Sequence, residues 1–208
     1  MSRSAEVRRA SLHTTVVVRL ALDGRGRASA RTGIGGFDRL LEVVASHGRF
    51  DLDVEAVAAG GSGVGGGGGE PDAHRVVLLT AAALGEAFAR AVGAREVTRG
   101  LGEASVPVAG ALVRAVCDVM GRGVLEYHAA PPSWQLVGDY DVSLTAEFWQ
   151  TFAVEARVTL HLDRVRGDHG RQVTEAAFAA AARALAAAAE RDPRIVAGPA
   201  AGEHGGTR

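Results

Sequence analysis

The stretch His13-Thr-Thr-Val-Val-Val-Arg-Leu-Ala-Leu22 alternates at the two-residue period of a strand, and Asp23-Gly24 followed by Gly26 is a turn signal that predicts a hairpin. Beyond it, Phe37, Leu40, Leu41 and Val44 recur at helical spacing and Gly48 supplies a stop; residues 51–56 then alternate again as a half-buried strand. A second helix is predicted over 76–92, ending at Gly93. The second half repeats this order: strand 111–118, turn Gly121-Arg122-Gly123, strand 124–128, helix 144–155, strand 158–162, helix 173–190. Two tandem strand-strand-helix-strand-helix units are implied, 1–93 and 94–192, with a flexible tail over 193–208. Such alternation predicts an α+β fold of sheets with helices on one face, rather than an all-helical or all-strand one.

The 208 residues, 47% hydrophobic with a formal net charge of −1, suffice for one sizeable core or two small fused ones. A soluble globular protein is expected. Arginines and carboxylates are interspersed, so no single-sign field draws the chain to nucleic acid or a membrane surface, and small molecules or proteins are the expected partners. The single Cys117 cannot form an internal disulfide, residues 1–10 are charged without an apolar signal-type core, and the alanine-dominated run 179–189 is too short to span a bilayer. These features predict a cytoplasmic protein. Lys and Asn are absent while Ala, Gly and Arg abound, a bias of GC-rich coding that makes a Lys-to-Arg replacement uninformative.

The run Ala58-Ala-Gly-Gly-Ser-Gly-Val-Gly-Gly-Gly-Gly-Gly69 reads as a disordered surface loop, because little in it can be ordered by burial. No Gly-Lys-Ser/Thr follows, so a phosphate-cradling P-loop is not indicated.

The segments Leu22-Asp-Gly, Thr32-Gly-Ile-Gly, His47-Gly-Arg-Phe-Asp-Leu52, Leu84-Gly85, Val106-Pro107, Asp118, Gly121-Arg122, Val137-Gly-Asp-Tyr-Asp141, Glu147-Phe148, Thr159-Leu-His161, Glu175-Ala-Ala-Phe178 and Ala182-Arg-Ala-Leu185 occur in an order and spacing that resemble imidazoleglycerol-phosphate dehydratase, the dehydrating enzyme of histidine biosynthesis. The resemblance covers both halves. It implies the two-repeat fold already read from periodicity, trimers of identical subunits that build a larger cage, and metal sites between subunits. In that family two His-His-x-x-Glu motifs, a His in the first helix and the His of Thr-Leu-His hold two manganese ions. Residues four apart share one helix face and can meet one ion, while the adjacent His points to another.

Carried onto this chain, the first motif becomes His74-Arg75-Val76-Val77-Leu78, the second Arg171-Gln172-Val173-Thr174-Glu175, and the first-helix His is Arg39. One ion's ligands correspond to Arg39, Arg75, Leu78 and Gln172, a set that cannot hold a metal. The other ion's ligands correspond to His74, His161, Arg171 and Glu175, with His169 nearby. Two readings of that set stay open: His74, His161 and Glu175 hold a single manganese-like dication, or no metal binds, Glu175 pairs with Arg171 at helical spacing and His74 is solvated. The family's first-strand Glu corresponds to His13, which can still move protons near neutral pH or be merely structural. At the phosphate-binding positions Arg122 is kept, a lysine corresponds to Ala179, a second arginine falls at Gly100 with Arg99 one residue off, and the terminal Ser-x-Lys falls in 199–203 without Ser or Lys.

On these residues the expectation is a repurposed lyase or cyclase acting on a non-phosphorylated small molecule, in specialised metabolism, with His13, His74, His161 and Glu175 as catalytic candidates. Arg122, Arg39, Arg75 and Arg171 are the candidates for substrate binding. The alternatives are a non-catalytic binding or assembly protein on the same fold, and an active imidazoleglycerol-phosphate dehydratase. Self-association to a trimer or higher is expected, with no nucleic-acid or membrane partner.

Overall fold

The opening alternation is realised as strand β2 (Thr14–Ala21), whose Val16, Val18 and Leu20 are buried while Arg19 faces outward. The computed structural model describes residues 3–58, 72–120, 122–132 and 135–195. Around β2 lie β1 (Ser4–Ala10), β3 (Ala28–Arg31) and β4 (Asp51–Ala58), in the order β1-β2-β4-β3. The second half builds the same sheet from β5 (Leu101–Val108), β6 (Ala111–Asp118), β7 (Val124–His128) and β10 (Thr159–Arg166), in the order β5-β6-β10-β7. Each half's four-stranded sheet therefore carries one strand more than its hydrophobic pattern predicts, and the glycine-rich run beyond Ala58 lies outside the described residues.

The hairpin expected at Asp23-Gly24 is corrected by this topology. Strands β2 and β3 do not pair; β4 lies between them, antiparallel to β2 and parallel to β3. The turn residues serve another purpose. Asp51 at the start of β4 accepts hydrogen bonds from the backbone N–H groups of Arg25 (2.8 Å) and Arg27 (3.1 Å), and a Cβ on Gly24 would stand 2.2 Å from the Asp51 nitrogen. The turn wraps around an incoming strand instead of folding back on its own. The second half does the same, with β7 parallel to β10 and unpaired with β6. The true hairpins are β1–β2 and β5–β6.

Helices α1 (Gly35–Gly48), α2 (Ala73–Val92), α3 (Leu144–Ala156) and α4 (Gly170–Ala189) occupy the inner faces of the two sheets. Helix α2 packs on β1 and β2, α4 on β5 and β6, α2 against α3, and α1 against α4. Phe37, Phe88, Phe148, Trp149, Phe152 and Phe178, drawn from all four helices, form one chain of ring contacts with centroids 5.0–5.8 Å apart. Rings at these separations stabilise beyond the area they bury. Helix α4 is buried almost all round, which explains its alanine content: Gly102 of β5 approaches so closely that a Cβ there would sit 2.1 Å from the Ala184 carbonyl oxygen. Gly48 is not the left-handed stop expected of it. Arg49 takes that conformation (φ 55°), while Gly48 is needed because the Phe50 ring lies over it.

A small hairpin, β8 (Leu136–Val137) with β9 (Tyr140–Asp141), ties the halves together. The Asp139 carboxylate accepts from the N–H groups of Gly35 (2.9 Å) and Gly36 (2.7 Å) at the start of α1, and Tyr140 stacks on Phe37 at 5.5 Å. A carboxylate at a helix N-terminus meets the positive end of its dipole. Burial alone would raise the Asp139 carboxyl, but these two backbone donors hold it below the ordinary range.

Candidate functional site

His74 enters the structure through the cap of α2. Asp72 accepts from the His74 backbone N–H (3.2 Å), which fixes the first turn, and the His74 side chain then leans toward α3. There His74 Nε2 lies 2.7 Å from Glu147 Oε2. Both side chains are about half exposed, at 48% and 54%. Arg75 is exposed beside the same cap, 4.0 Å from Asp72, and Leu78 is half-buried one turn on.

His161 is elsewhere. In β10 it alternates with Leu160 and Leu162, both fully buried toward the helices, so it points to the outer face of the second sheet, beside Val116 of β6 and Glu126 of β7. Helix α4, which carries Glu175, packs on the inner face of that sheet. The sheet therefore stands between His161 and Glu175 within one chain.

Glu175 is half-buried in α4 and makes no ion pair with Arg171 or any other described residue. Its electrostatic neighbour is His47, in the last turn of α1. Burial lowers the His47 pKa and Arg183 lowers it further, while Glu175 pulls the other way. Arg183 Nε donates to His47 Nδ1 at 3.2 Å, so that nitrogen is the acceptor and the imidazole is held neutral. His13 is exposed in the β1–β2 turn, one residue before the strand that was expected to contain it. Arg39, Arg122 and Arg171 are exposed, and none has an ion-paired partner among the described residues.

The structure thus brings His74 to Glu147, and Glu175 near His47 and Arg183, and it does not bring His74, His161 and Glu175 together in one chain. Glu147 and His47 were not singled out as site residues, although both lie in segments that carry the resemblance. No spacing rule links positions 74 and 147; only the side-by-side packing of α2 and α3 does.

The donor set does not fit a pair of dications. Arg39 and Arg75 remain protonated and repel a cation, Leu78 has no lone pair, and the Gln172 side-chain Oε1 already accepts from the Gly110 backbone N–H at 3.3 Å. Among the described residues no group of three or more His, Cys, Asp or Glu side chains is placed to hold an ion. Cys117 offers nothing here: buried in β6, its thiol is pushed up to about 12. A shallow concavity of about 640 Å³ on the outer face of the first sheet holds none of the candidate residues, and its charged side chains pair among themselves, Arg19 with Glu6 and Asp53, Arg27 with Asp51. Among the described residues no helix is long and apolar enough to cross a membrane.

Comparison with known proteins adds to this geometry. The family model for imidazoleglycerol-phosphate dehydratase matches residues 32–185. The imidazoleglycerol-phosphate dehydratase of Thioalkalivibrio sulfidiphilus is 44% identical over 193 residues, 93% of this chain and 93% of that one. The enzyme of the same name from Gluconacetobacter diazotrophicus is 41% identical over 93% of this chain and 92% of its own length. Among solved structures, imidazoleglycerol-phosphate dehydratase from Staphylococcus aureus superposes with a TM-score of 0.76 at 23% identity, covering 91% of this chain and 99% of that one, a likeness of fold.

Proposed function

The chain belongs to the imidazoleglycerol-phosphate dehydratase family, and from that membership we propose that it removes water from imidazoleglycerol phosphate in histidine biosynthesis. The observation that carries the reading is 41–44% identity maintained over 93% of the chain to relatives named for this activity.

The same observation corrects the expectation of a repurposed lyase or cyclase on a non-phosphorylated molecule, and with it that of a non-catalytic binding or assembly protein. Both rested on a few altered positions. They are overturned by relatives that match over 92–93% of the chain and carry the dehydratase name.

Elimination of water requires a base that takes a proton from carbon, so that its electron pair forms the new double bond, and an acid that protonates the departing hydroxyl. In this reading His74, His161, His13 and Glu175 are the groups that move protons. Arg122, Arg39, Arg75 and Arg171 are the cations that meet the substrate's phosphate, a role guanidinium suits because its fork of donors matches phosphate oxygens. Because His161 and Glu175 lie on opposite sides of the second sheet, a site using both is completed by a second copy of the chain, which makes self-association part of the proposal.

The test is genetic. A bacterium deleted for its own dehydratase and supplied with this chain is expected to grow without histidine, and failure of a well-expressed chain to restore growth refutes the reading.

A further inference from the structure

We propose that Arg39 and Arg171 of one copy of the chain bind Glu126 and Asp163 of a second copy, so that fixed charges close the contact at which the site is completed. The pairing rests on the self-association proposed above and on no step of the reaction.

The internal repeat places the two arginines face to face. Helices α2 and α4 each have 20 residues, and α1 and α3 each end on an arginine in the left-handed conformation, Arg49 and Arg157. With the repeats aligned on these features, position 74 falls on 171 and position 147 on 39. A second pair fits the same register: Glu86 and Glu155, bridged by Arg9 at 2.6 and 2.7 Å, fall on Arg183 and His47, which are bonded to each other at 3.2 Å. As His74 meets Glu147 across the seam of α2 and α3, Arg39 therefore faces Arg171 across the seam of α1 and α4.

Both guanidiniums are exposed. The carboxylates at these helix starts are engaged: Asp139 accepts from the first N–H groups of α1, Asp38 from Thr32 and Asp168 from Arg164. Glu42 and Glu175 lie one turn along from Arg39 and Arg171, and neither forms an ion pair among the described residues. Two like charges held face to face repel, and an anion between them removes the repulsion.

The outer face of the second sheet has the opposite character. By strand alternation Glu103, Asp118, Glu126 and Asp163 point outward there, with Arg114 among them. Arg114 lies opposite Asp163 but turns to Glu103 at 3.1 Å, and Asp118 accepts from the Met120 N–H at 2.8 Å. Glu126, 53% exposed, has His128 at 3.8 Å and no guanidinium, and Asp163 has no ion-paired partner among the described residues. These two flank His161, Glu126 opposite it on β7 and Asp163 two residues along β10. Two unpaired cations on one surface thus match two unpaired anions on the other in number and sign. Docking them brings the face that carries His161 to the helix that carries Glu175, the two site residues that one chain keeps apart. A guanidinium has five donors, so a carboxylate on one edge leaves others for the substrate's phosphate.

The experiment follows assembly by light scattering over a range of protein and salt concentrations, with circular dichroism to show that each variant folds. Arg39→Glu with Arg171→Glu, and separately Glu126→Arg with Asp163→Arg, set like charges against each other and are each expected to weaken association at least about a hundredfold. All four changes in one chain restore the match and are expected to restore assembly. The wild type is expected to stay assembled in EDTA and to weaken as sodium chloride rises from about 0.1 to about 0.5 M. Where a reversal unfolds the chain, Arg39→Gln with Arg171→Gln is expected to weaken association and to flatten its salt dependence. Assembly unaffected by these changes, not restored by the fourfold exchange, or dissolved by EDTA overturns the pairing. Inorganic phosphate bound by the wild type and lost in Arg39→Glu with Arg171→Glu, while assembly persists, also overturns it and identifies a free-anion site. An assembled wild type without turnover refutes the dehydratase reading and leaves the pairing standing.

Discussion

Replacing Gly36 by Ala tests the contact that fastens the two halves together. A Cβ at this position would stand 1.8 Å from the Val137 carbonyl oxygen and 3.0 Å from the Tyr140 Cβ. Ordinary contact begins near 3.4 Å, so the β8–β9 hairpin must withdraw by about 1.6 Å, measured from that 1.8 Å clash. That movement breaks both Asp139 hydrogen bonds to α1 and separates the Phe37–Tyr140 stack. Overpacking costs about 1–3 kcal/mol, loss of the cap about 1 kcal/mol and loss of the ring pair about 0.5–1 kcal/mol. Alanine's better helix propensity offsets about 1 kcal/mol of this at most. The net destabilisation is about 1.5–4 kcal/mol, which at a urea dependence of about 2 kcal/mol per molar lowers the unfolding midpoint by about 1–2 M. An unchanged or raised midpoint would refute the claim that the close approach at Gly36 sets the seat of the hairpin.

Three further outcomes follow from the same geometry. His47 has a pKa below its ordinary 6.5, so the folded state binds fewer protons there; the stability this represents is present above 6.5 and declines as pH falls through that value toward the lowered one. Urea midpoints of the wild type should therefore fall between about pH 7.5 and pH 5.5, and those of His47→Gln should fall less; equal slopes contradict the assignment. Purified protein should carry at most one divalent ion per subunit, lost on His161→Ala, as read by elemental analysis; two ions per subunit, or one unaffected by the change, sinks the donor argument. Light scattering at micromolar concentration should show a trimer or larger assembly, and a monomer would remove the second copy that the site requires.

Much of the fold was legible. Strands 111–118 and 124–128 match β6 and β7 residue for residue, and the four helices fall where apolar spacing puts them. The missed strands show why periodicity has limits. In β1 Val7 alone is buried, and in β5 only Gly102 and Val106 are buried, with Pro107 inside the strand, so neither offers a run of alternating large apolar residues. Pairing order was illegible for a different reason. The turn residues at 23–26 announce a reversal but say nothing of β4, which arrives from 25 residues later to lie between the strands they join.

The site was harder to read. Substitutions at Arg39, Arg75, Leu78 and Arg171 are conspicuous in the sequence and drew the functional reading away from the family's reaction, although the match extends over 193 residues. The His74–Glu147 contact joins residues 73 positions apart and depends on helices whose packing no local pattern records. The sidedness of His161 was in principle available, because Leu160 and Leu162 flank it and must face the core, which turns it away from α4.

The most direct test of the account is turnover of imidazoleglycerol phosphate by the purified assembly, followed by mass spectrometry. A product lighter by one water is expected from the wild type and less of it from His74→Ala; substrate returned unchanged by a folded, self-associated protein would contradict the dehydratase assignment.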